Sequence, residues 1–464
     1  MNSFSPTEDT IAAIATAVSP GQGSIAVIRI SGSSSIEISK TITHIPGIQN
    51  WSTHKVLYGH VTEANQKKYI DEVLILIMKG PRSFTGEDVV EIHCHGGIIA
   101  VQKILERILE NPNIRRADPG EFSQRAVLNG RLSLTQAESI SELISARSRK
   151  AAELAMNGIE GNIQTKIQSI RQRLLDQLTE IEARIDFEED LPHLEEEKVK
   201  NEIILIRTDI NELIDNAKRG LWVRSGLKIA LIGKPNVGKS SLMNRLSKKE
   251  KAIVTDLPGT TRDLLESEIV LEGIPVTFID TAGIRETENE IEQIGISRTQ
   301  EALKRTDLII LIFDYSKGWT KEDESILKKM PTSIPVLFVG NKSDLKDNHS
   351  FEKDTKNILG EENLVIISAK TGKGENDLLN SLVKSCGSSK IYGLDIALNE
   401  RQLDLAKSAK ESLKNIDKVF EEKLPWDFWT IDLREAINYL GELTGDDLTE
   451  SLLDNIFSKF CIGK

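Results

Sequence analysis

The stretch KIALIGKPNVGKSSLMNRL, residues 228–246, contains the clearest structural signal in the chain. Its first part, Lys228–Ile232, is an apolar run typical of a buried strand, and Ser241–Leu246 has the pattern of a helix. Between them, Gly233–Ser240 matches G-x-x-x-x-G-K-[S/T], the pattern of a phosphate-binding loop, or P-loop. A chance match is the alternative, but a strand before the loop and a helix after it are the context in which this motif binds phosphate.

The residue types in this loop explain why it would bind a nucleotide. Its glycines allow backbone N–H groups to converge on phosphate oxygens. Lys239 would supply a positive charge to the β- and γ-phosphates, and the hydroxyl of Ser240 can ligate Mg²⁺. We therefore predict that a nucleoside phosphate binds here.

Two later motifs select the base. Asn341–Asp344 (NKSD) follows the apolar run VLFVG. A carboxylate at this place can accept hydrogen bonds from N1–H and the N2 amine of guanine, a pair of donors that adenine lacks, so ATP would leave it unpaired. Ser368–Lys370 (SAK) follows LVIIS and would bring backbone N–H groups to the guanine O6. The predicted ligand is GTP or GDP.

Two further segments match loops that respond to the γ-phosphate. Asp280–Gly283 (DTAG) follows the run VTFID, so its aspartate can hold Mg²⁺ through water and Gly283 can bond the γ-phosphate. Gly259–Asp263 (GTTRD) offers a threonine hydroxyl to Mg²⁺. Alone, the first motif usually marks a turn, but it is a strong signal at its distance beyond a P-loop. An ordinary polar loop is the alternative for the second motif, and its position between the other two disfavours that alternative. Ile284 stands where Ras-type enzymes carry the glutamine that orients water, so either hydrolysis is very slow or another group acts.

The rest of the chain divides by its hydrophobic pattern. Residues 10–131 alternate short strand-like runs with Gly-containing turns and include one helix, Val101–Leu109, which indicates an α+β domain. Residues 132–218 and 399–464 have helical periodicity. One apolar stripe at spacings of three and four consists of Ile163, Ile167, Ile170, Leu174, Leu178, Ile181 and Ile185.

Neither helical flank is long enough to form a bundle alone, so we predict that both flanks build one helical domain into which the nucleotide domain is inserted. The fold class is therefore multidomain: an α+β N-terminal domain, a discontinuous α-helical domain and an α/β P-loop (Ras-like) domain. The predicted boundaries are residues 1–131 for the N-terminal domain, 132–222 and 389–464 for the two parts of the helical domain, and 223–388 for the nucleotide domain.

Composition excludes several classes of protein. A chain of 464 residues exceeds one ordinary core, so two or three domains are expected. With 59 Lys and Arg against 71 Asp and Glu, the net charge of −12 argues against a broad nucleic-acid-coating surface. Cys94, Cys386 and Cys461 lie far apart, which argues against a disulfide framework or a zinc site. No apolar run approaches membrane-spanning length and no secretory signal is visible, so a cytoplasmic location is expected.

Motifs outside the nucleotide domain carry a family resemblance over essentially the whole chain. They are Asp9–Ile14, Ile28–Gly32, Ser83–Asp88, His93–Gly97, Pro119–Phe122, Leu128–Arg131 and the terminal Cys461–Lys464. With these motifs the chain resembles the bacterial tRNA-modification GTPase family MnmE, also called TrmE. The combination of this N-terminal domain with a Cys-Ile-Gly-Lys terminus is more specific than the nucleotide motifs, which many GTPases share.

The resemblance implies a function for the whole assembly. The N-terminal domain would resemble a folate-binding fold and mediate a homodimer. With a flavoprotein partner, MnmG, in a heterotetramer, the protein would add an aminomethyl or carboxymethylaminomethyl group to C5 of the wobble uridine of certain tRNAs. The one-carbon unit would come from 5-formyltetrahydrofolate or a related tetrahydrofolate, with GTP hydrolysis driving the cycle.

The resemblance also implies residue roles. Mg²⁺ would be held by Ser240 and Thr261, and K⁺ by Asn236 with Thr255, Leu257 and Thr260. Glu292 would act on the attacking water through a relay, and Cys461 would be catalytic. Folate would meet Arg29, Glu91, Arg131 and Lys464. The expected GTP contacts are Asn236, Val237, Gly238, Lys239, Ser240, Ser241, Thr255, Asp256, Leu257, Pro258, Gly259, Thr260, Thr261, Asp280, Thr281, Ala282, Gly283, Asn341, Lys342, Ser343, Asp344, Ser368, Ala369 and Lys370.

Several of these roles have plain structural alternatives. Asn236 could simply stabilise the P-loop. Glu292 lies in an acidic run, Glu286–Glu292, and could be a solvated helix carboxylate. Cys461 could be a buried apolar thiol, because burial alone raises a thiol pKa rather than lowering it.

A ribosome-assembly GTPase switch of the Era or Der kind is the alternative function. Era-like proteins follow the nucleotide domain with an RNA-binding module that needs a GXXG loop among basic residues, whereas this chain continues after Lys370 with helices and acidic residues. Der-like proteins carry two P-loops, and this chain has a single GKS. Both differences favour the tRNA-modification GTPase. A folate enzyme with a vestigial nucleotide domain is disfavoured because every nucleotide motif is intact.

Overall fold

The structure is a computed structural model that describes residues 9–21, 23–65, 68–187, 189–249, 266–271, 273–280, 306–345, 359, 363–385, 393–422, 424–446 and 449–463. The chain divides into two compact units. The first comprises Met1–Ser141, Ile159–Arg171 and Asn438–Lys464, and the second comprises Glu142–Gly158 and Gln172–Ile437.

The strands are β1 (Thr10–Ile14), β2 (Ile25–Ser31), β3 (Thr43–His44), β4 (Lys55–Thr62), β5 (Tyr69–Met78), β6 (Val89–His95), β7 (Ile114–Arg116), β8 (Leu227–Ile232), β9 (Glu266–Leu271), β10 (Ile274–Asp280), β11 (Leu308–Asp314), β12 (Val336–Asn341) and β13 (Leu364–Ile366). The helices are α1 (Ser35–Ile42), α2 (Ile98–Leu109), α3 (Glu121–Leu128), α4 (Leu134–Ser145), α5 (Arg149–Ile159), α6 (Asn162–Asp186), α7 (Glu196–Ser225), α8 (Lys239–Lys249), α9 (Lys321–Lys328), α10 (Glu375–Ser385), α11 (Glu400–Glu421), α12 (Trp426–Thr444) and α13 (Glu450–Phe457).

The first unit is built on a seven-stranded mixed sheet with strand order β3-β4-β5-β6-β2-β1-β7. Alternate residues of these strands, such as Ile28, Ile75 and Ile92, are fully buried with apolar residues of α1 and α2. Because successive side chains of a strand point to opposite faces, the residues between them lie on the other face. There Val56 and Leu74 are about half exposed. The predicted α+β domain is thus confirmed, with one face of its sheet covered by helices.

The end of the chain packs within the same unit. Leu453 and Phe457 of α13 share a small core with Val127 and Leu134. Gly120, which precedes α3, has φ +70°, and a Cβ there would lie 2.6 Å from the carbonyl oxygen of Phe457. A glycine is therefore required at the point where α3 approaches the C-terminal helix.

The second unit contains a six-stranded sheet with order β13-β12-β11-β8-β10-β9. All pairs are parallel except β9 with β10, which form an antiparallel hairpin at the edge. Every residue of β11 is buried, as expected for a parallel strand covered on both faces. The five predicted strands and the helix after the P-loop are all present. The edge strand β9 did not emerge from the apolar pattern, because its polar residues give it no continuous apolar run.

The long helices of this unit pack partly through ion pairs. Arg173 of α6 contacts Glu202 at 2.6 Å and Asp209 at 2.5 Å, both on α7, and Arg207 of α7 pairs with Asp417 of α11. α5 and the end of α7 also contribute apolar residues to the core of the six-stranded sheet. The apolar stripe predicted along α6 is buried from Ile163 to Ile181, whereas Ile185, predicted to continue it, is 38% exposed because the helix ends one residue later.

We expect Phe457→Ala to destabilise the first unit by about 3–5 kcal/mol, because the ring is 1% exposed and its loss leaves a cavity. Calorimetric unfolding and protease resistance of the C-terminal segment would measure the effect. Ile99→Ala is the control within the same unit, since that side chain is 63% exposed. Equal effects of the two substitutions would show that α13 does not depend on this contact.

Candidate nucleotide-binding site

The P-loop connects the end of β8 to the start of α8 and lies tightly against two neighbouring segments. A Cβ on Gly233 would lie 2.2 Å from the carbonyl oxygen of Ile312, and a Cβ on Gly238 would lie 2.3 Å from Nδ2 of Asn341. Any side chain at these two positions would push the loop away from its supports. The two motif glycines are thus needed for close packing as well as for access of backbone N–H groups to phosphate.

Lys239 is the first residue of α8, so its ammonium lies beside the helix N-terminus. Its Nζ donates to the carbonyl oxygens of Gly233, at 2.5 Å, and Lys234, at 2.9 Å. A helix N-terminus favours anions because its N–H groups are not used within the helix. The loop therefore combines oriented donors with a fixed cation, which is the chemistry of a phosphate site.

Asn341, at the end of β12, connects three of the predicted motifs. The residue is 2% exposed; its Nδ2 donates to the carbonyl oxygen of Val237 at 2.8 Å, and its Oδ1 accepts from the N–H of Ala369 at 2.9 Å. The P-loop, the NKSD motif and the SAK motif, which are remote in sequence, therefore meet at one side chain. This bridge is a role that sequence reasoning missed, since it depends on contacts between separate strands.

Lys342 has a left-handed backbone, with φ +69°, and its ammonium pairs with Asp314 at 2.8 Å. Burial tends to raise the pKa of Asp314, but hydrogen bonds from Lys342 and Ser316 outweigh it and hold the pKa below its usual value. The pair anchors the long side chain of Lys342 beside the P-loop.

Asp344, the residue predicted to read guanine, is exposed, and its Oδ1 accepts from the hydroxyl of Ser368 at 2.7 Å. This hydrogen bond is the main reason that the pKa of Asp344 lies below its ordinary value. The carboxylate is therefore ionised and oriented, as acceptance of two guanine hydrogen bonds requires.

Arg245 of α8 supports the SAK loop from the other side, which the sequence did not indicate. It pairs with Glu375 at 2.7 Å and donates to the carbonyl oxygens of Lys370 and Thr371 at 3.4 Å. The nearby Gly372 has φ +91°. Only knowledge of which strands are adjacent would have placed these residues together.

Part of the predicted site lies outside the described residues. The predicted site residues that lie outside the described ranges are Thr255, Asp256, Leu257, Pro258, Gly259, Thr260, Thr261, Thr281, Ala282, Gly283, Glu292 and the folate candidate Lys464. Asp280 ends β10, and Ser240 and Ser241 are exposed in the first turn of α8. Asn236 is also exposed, and Ser343 follows Lys342 in the same motif.

The N-terminal candidates are partly brought together. Arg29 on β2 and Glu91 on β6 face each other in the sheet and pair at 2.8 Å. The Arg29 guanidinium also lies over the rings of Phe84, at 5.2 Å, and Phe122, at 5.6 Å. Arg131 lies in the exposed turn after α3.

Cys461 is exposed rather than buried, which contradicts the alternative of a buried apolar thiol, while its catalytic role stays a prediction. Its carbonyl oxygen accepts a hydrogen bond from Gly120, which keeps the chain end close to α3. In the described part of the chain, His, Cys, Asp and Glu do not gather in groups of three or more that could hold a metal ion. Nor do the described helices include one of the length and apolarity needed to cross a membrane.

Comparisons with known proteins agree with this architecture. Residues 10–131 match the family described as GTP-binding protein TrmE N-terminus, and residues 134–461 match the MnmE helical domain. A tRNA modification GTPase MnmE of Prochlorococcus marinus (strain NATL1A) is 82% identical over 100% of both chains. The chain belongs to the MnmE (TrmE) family. The predicted resemblance and fold class are confirmed, and the chain is a P-loop GTPase.

More distant relatives extend the comparison. An MnmE of Synechococcus sp. (strain CC9605) is 56% identical over 99% of this chain and 100% of its own. Among solved structures, the FeoB G-domain from Methanococcus jannaschii is 28% identical, covers 35% of this chain and 98% of its own, and has a TM-score of 0.26. Because that TM-score is low, membership of the MnmE family rests on the sequence relatives.

As the pH is lowered, we expect the Ser368→Ala variant to lose GDP binding at a higher pH than the wild type does. The depressed pKa of Asp344 keeps its carboxylate ionised as pH falls, and guanine binding is lost once the pH drops through that pKa. Loss of the Ser368 hydroxyl raises the pKa and shifts the loss upward in pH. GDP titrations between about pH 3 and pH 5, around the usual pKa of an aspartate carboxyl, measure the shift; superimposable profiles would contradict the assignment. Ser316→Ala is the control, since Ser316 bonds Asp314 instead.

Proposed function

We propose that the protein is a potassium-dependent GTPase that works with an MnmG-like flavoprotein to modify C5 of the wobble uridine in certain tRNAs. Its product would carry an aminomethyl or carboxymethylaminomethyl group. The observation that carries the proposal is that a complete set of guanine-nucleotide motifs lies within a chain that matches, over 100% of its length, relatives named tRNA modification GTPases. The proposal includes the predicted domain boundaries: the N-terminal domain ends at residue 131, and the nucleotide domain, residues 223–388, separates the two parts of the helical domain.

The chemistry of the P-loop suits the proposed metal ions. Mg²⁺ prefers oxygen ligands, and the exposed hydroxyl of Ser240 is available next to Lys239, with Thr261 proposed as the second protein ligand. Asn236 presents an amide oxygen, a hard ligand suited to K⁺, with backbone oxygens of Thr255, Leu257 and Thr260 completing the set. Bound K⁺ would supply positive charge toward the phosphates, as an arginine finger does elsewhere. Glu292 would act as the relay to water, because Ile284 cannot orient it.

We expect GTP hydrolysis to be much faster in K⁺ than in Na⁺ of equal ionic strength, and Asn236→Ala to abolish most of the difference. The amide oxygen of Asn236 is the only side-chain oxygen proposed for this cation, so its removal takes away cation selectivity. Steady-state rates in the two salts measure the effect, with Asn244→Ala on α8 as a control. Equal rates in both salts for the unmodified protein would contradict potassium dependence.

The N-terminal domain supports the proposed folate and dimer roles. Glu91 can accept hydrogen bonds from the amino-pyrimidine edge of a pterin, and Arg29 can meet carbonyl or carboxylate oxygens. The two residues already lie 2.8 Å apart, so a donor and an acceptor group are held at one place. The half-exposed apolar residues Val56 and Leu74 on the outer sheet face are suited to contact with a second copy. Cys461, exposed near Gly120, is proposed as the reactive thiol at this end of the protein.

Analysis of tRNA nucleosides by mass spectrometry tests the proposal in cells. A strain lacking the protein should contain unmodified wobble uridine, and the wild-type gene should restore the modification. Arg29→Ala should restore it poorly and should bind 5-formyltetrahydrofolate at least about tenfold more weakly in calorimetry, as expected for loss of a charge-assisted hydrogen bond. Arg149→Ala, in the second unit, is the control. Normal wobble uridine modification in the deletion strain would refute the tRNA function and favour the Era- or Der-like alternative.

A further inference from the structure

We propose that Lys234, the second residue of the P-loop, is a positioning residue that holds Asn236 in its cation-binding conformation. The inference rests on the potassium-dependent GTPase proposed above and names the residue that keeps the backbone of Asn236 in place. The carrying observation is a half-buried ion pair between the P-loop and the start of α9. Lys234 has no role in the P-loop motif itself, in which its position accepts any residue.

The ammonium of Lys234 is held by three groups at the N-terminus of α9. Its Nζ lies 2.7 Å from Oγ1 of Thr320, 3.0 Å from Oδ2 of Asp323 and 3.4 Å from Oε2 of Glu322. Thr320 is the N-cap of α9 and forms a capping box with Asp323. Oδ2 of Asp323 accepts the backbone N–H of Thr320 at 3.0 Å and its hydroxyl at 2.6 Å. Because the capping box fixes these acceptors, Lys234 is bound to a rigid frame.

Electrostatics make this position of Lys234 strongly preferred. The side chain of Asp323 is 2% exposed and that of Lys234 is 22% exposed. Within the ranges that the structure describes, Lys234 is the only cation within salt-bridge distance of Asp323. A buried carboxylate without a counter-charge is costly, so the pair holds the P-loop against α9 rather than leaving the carboxylate alone.

The chain between the ion pair and Asn236 is stiff. Pro235 has a fixed φ, and a residue before proline is restricted to extended conformations, so Lys234 and Pro235 have little freedom. On the other side of Asn236, the carbonyl oxygen of Val237 is held by Nδ2 of Asn341 at 2.8 Å. Asn236 therefore lies between two anchors.

These anchors maintain an unusual backbone conformation. Asn236 has φ +62°, a left-handed conformation that residues other than glycine adopt infrequently, asparagine more readily than most. Such a conformation persists only where its surroundings hold it. Asn236 and Lys234 line a cleft of about 270 Å³ together with Thr320 and Asp323. The amide is thus presented at a defined place, and an ion ligand that is already in place loses less entropy when it binds.

Release of the ion pair should affect cation binding more than nucleotide binding. Phosphate contacts come from Lys239 and the N-terminus of α8, and Lys239 is bonded to the backbone carbonyl of Lys234 rather than to its side chain. Asn236, in contrast, would relax toward the commoner negative φ values. The expected signature is a higher K⁺ requirement with little change in the maximal rate.

The test compares Lys234→Met with Lys234→Arg in the full-length protein. We expect Lys234→Met to raise the K⁺ concentration for half-maximal GTP hydrolysis by about two- to tenfold, the lower part of the range for coupling across one contacting pair. The rate at saturating K⁺ and the Kd for a fluorescent GDP should stay within about twofold of the wild type. Lys234→Arg keeps the charge and should restore the K⁺ response. Lys328→Met is the matched control, because Lys328 forms an exposed pair with Glu324 on the same helix.

Two further variants guard against a folding defect. Asp323→Asn should raise the K⁺ requirement in the same direction, and the double variant Lys234→Met/Asp323→Asn, which buries no unpaired charge, should raise it no further than Lys234→Met alone. An unchanged K⁺ requirement in Lys234→Met, or no restoration by Lys234→Arg, would overturn the positioning role. If the wild type itself hydrolyses GTP equally in K⁺ and Na⁺, the proposed potassium dependence fails, which is a separate result.

Discussion

One buried amide, the side chain of Asn341, is the interaction on which the nucleotide site depends. It donates to the P-loop at Val237 and accepts from the SAK loop at Ala369. The P-loop follows β8, the SAK loop follows β13, and Asn341 itself ends β12. The amide therefore joins the loops at the ends of these parallel strands, which together form one edge of the site. Only a group that both donates and accepts can make this bridge, which explains an asparagine here rather than an aspartate.

Close approach is the second constraint, and it has a conformational cost. Gly238 touches the same amide so tightly that even a methyl group would be excluded. Asn236 and Lys342 both have positive φ, which is unfavourable for residues with a side chain. Hydrogen bonds and ion pairs around them offset this cost. In the described part of the chain, two of the three non-glycine residues with positive φ thus lie in the P-loop and the NKSD motif, and the third is His54, next to β4.

Charge pairing explains how an acidic chain can present a phosphate site. The net charge is −12, yet the cations around the P-loop are held in place by partners. Lys342 pairs with Asp314, Lys234 with Asp323 and Arg245 with Glu375. These pairs orient loops instead of adding a broad positive field, so attraction for the nucleotide comes from Lys239 and backbone N–H groups. Such a site binds nucleotide through local geometry, without a basic surface.

The sequence by itself determined the family, the motifs and most strands of the nucleotide domain, because apolar runs and fixed glycine, lysine and aspartate spacings are local properties. It also placed Asn341, Asp344 and Ser368 in the site. Only the tertiary structure revealed that Asn341 joins three motifs, that Lys234 reaches Asp323, and that Cys461 is exposed. These features depend on which strand ends and helix starts lie side by side. No local pattern encodes that, since residues such as Lys234 and Asp323 are brought together by the folded sheet alone.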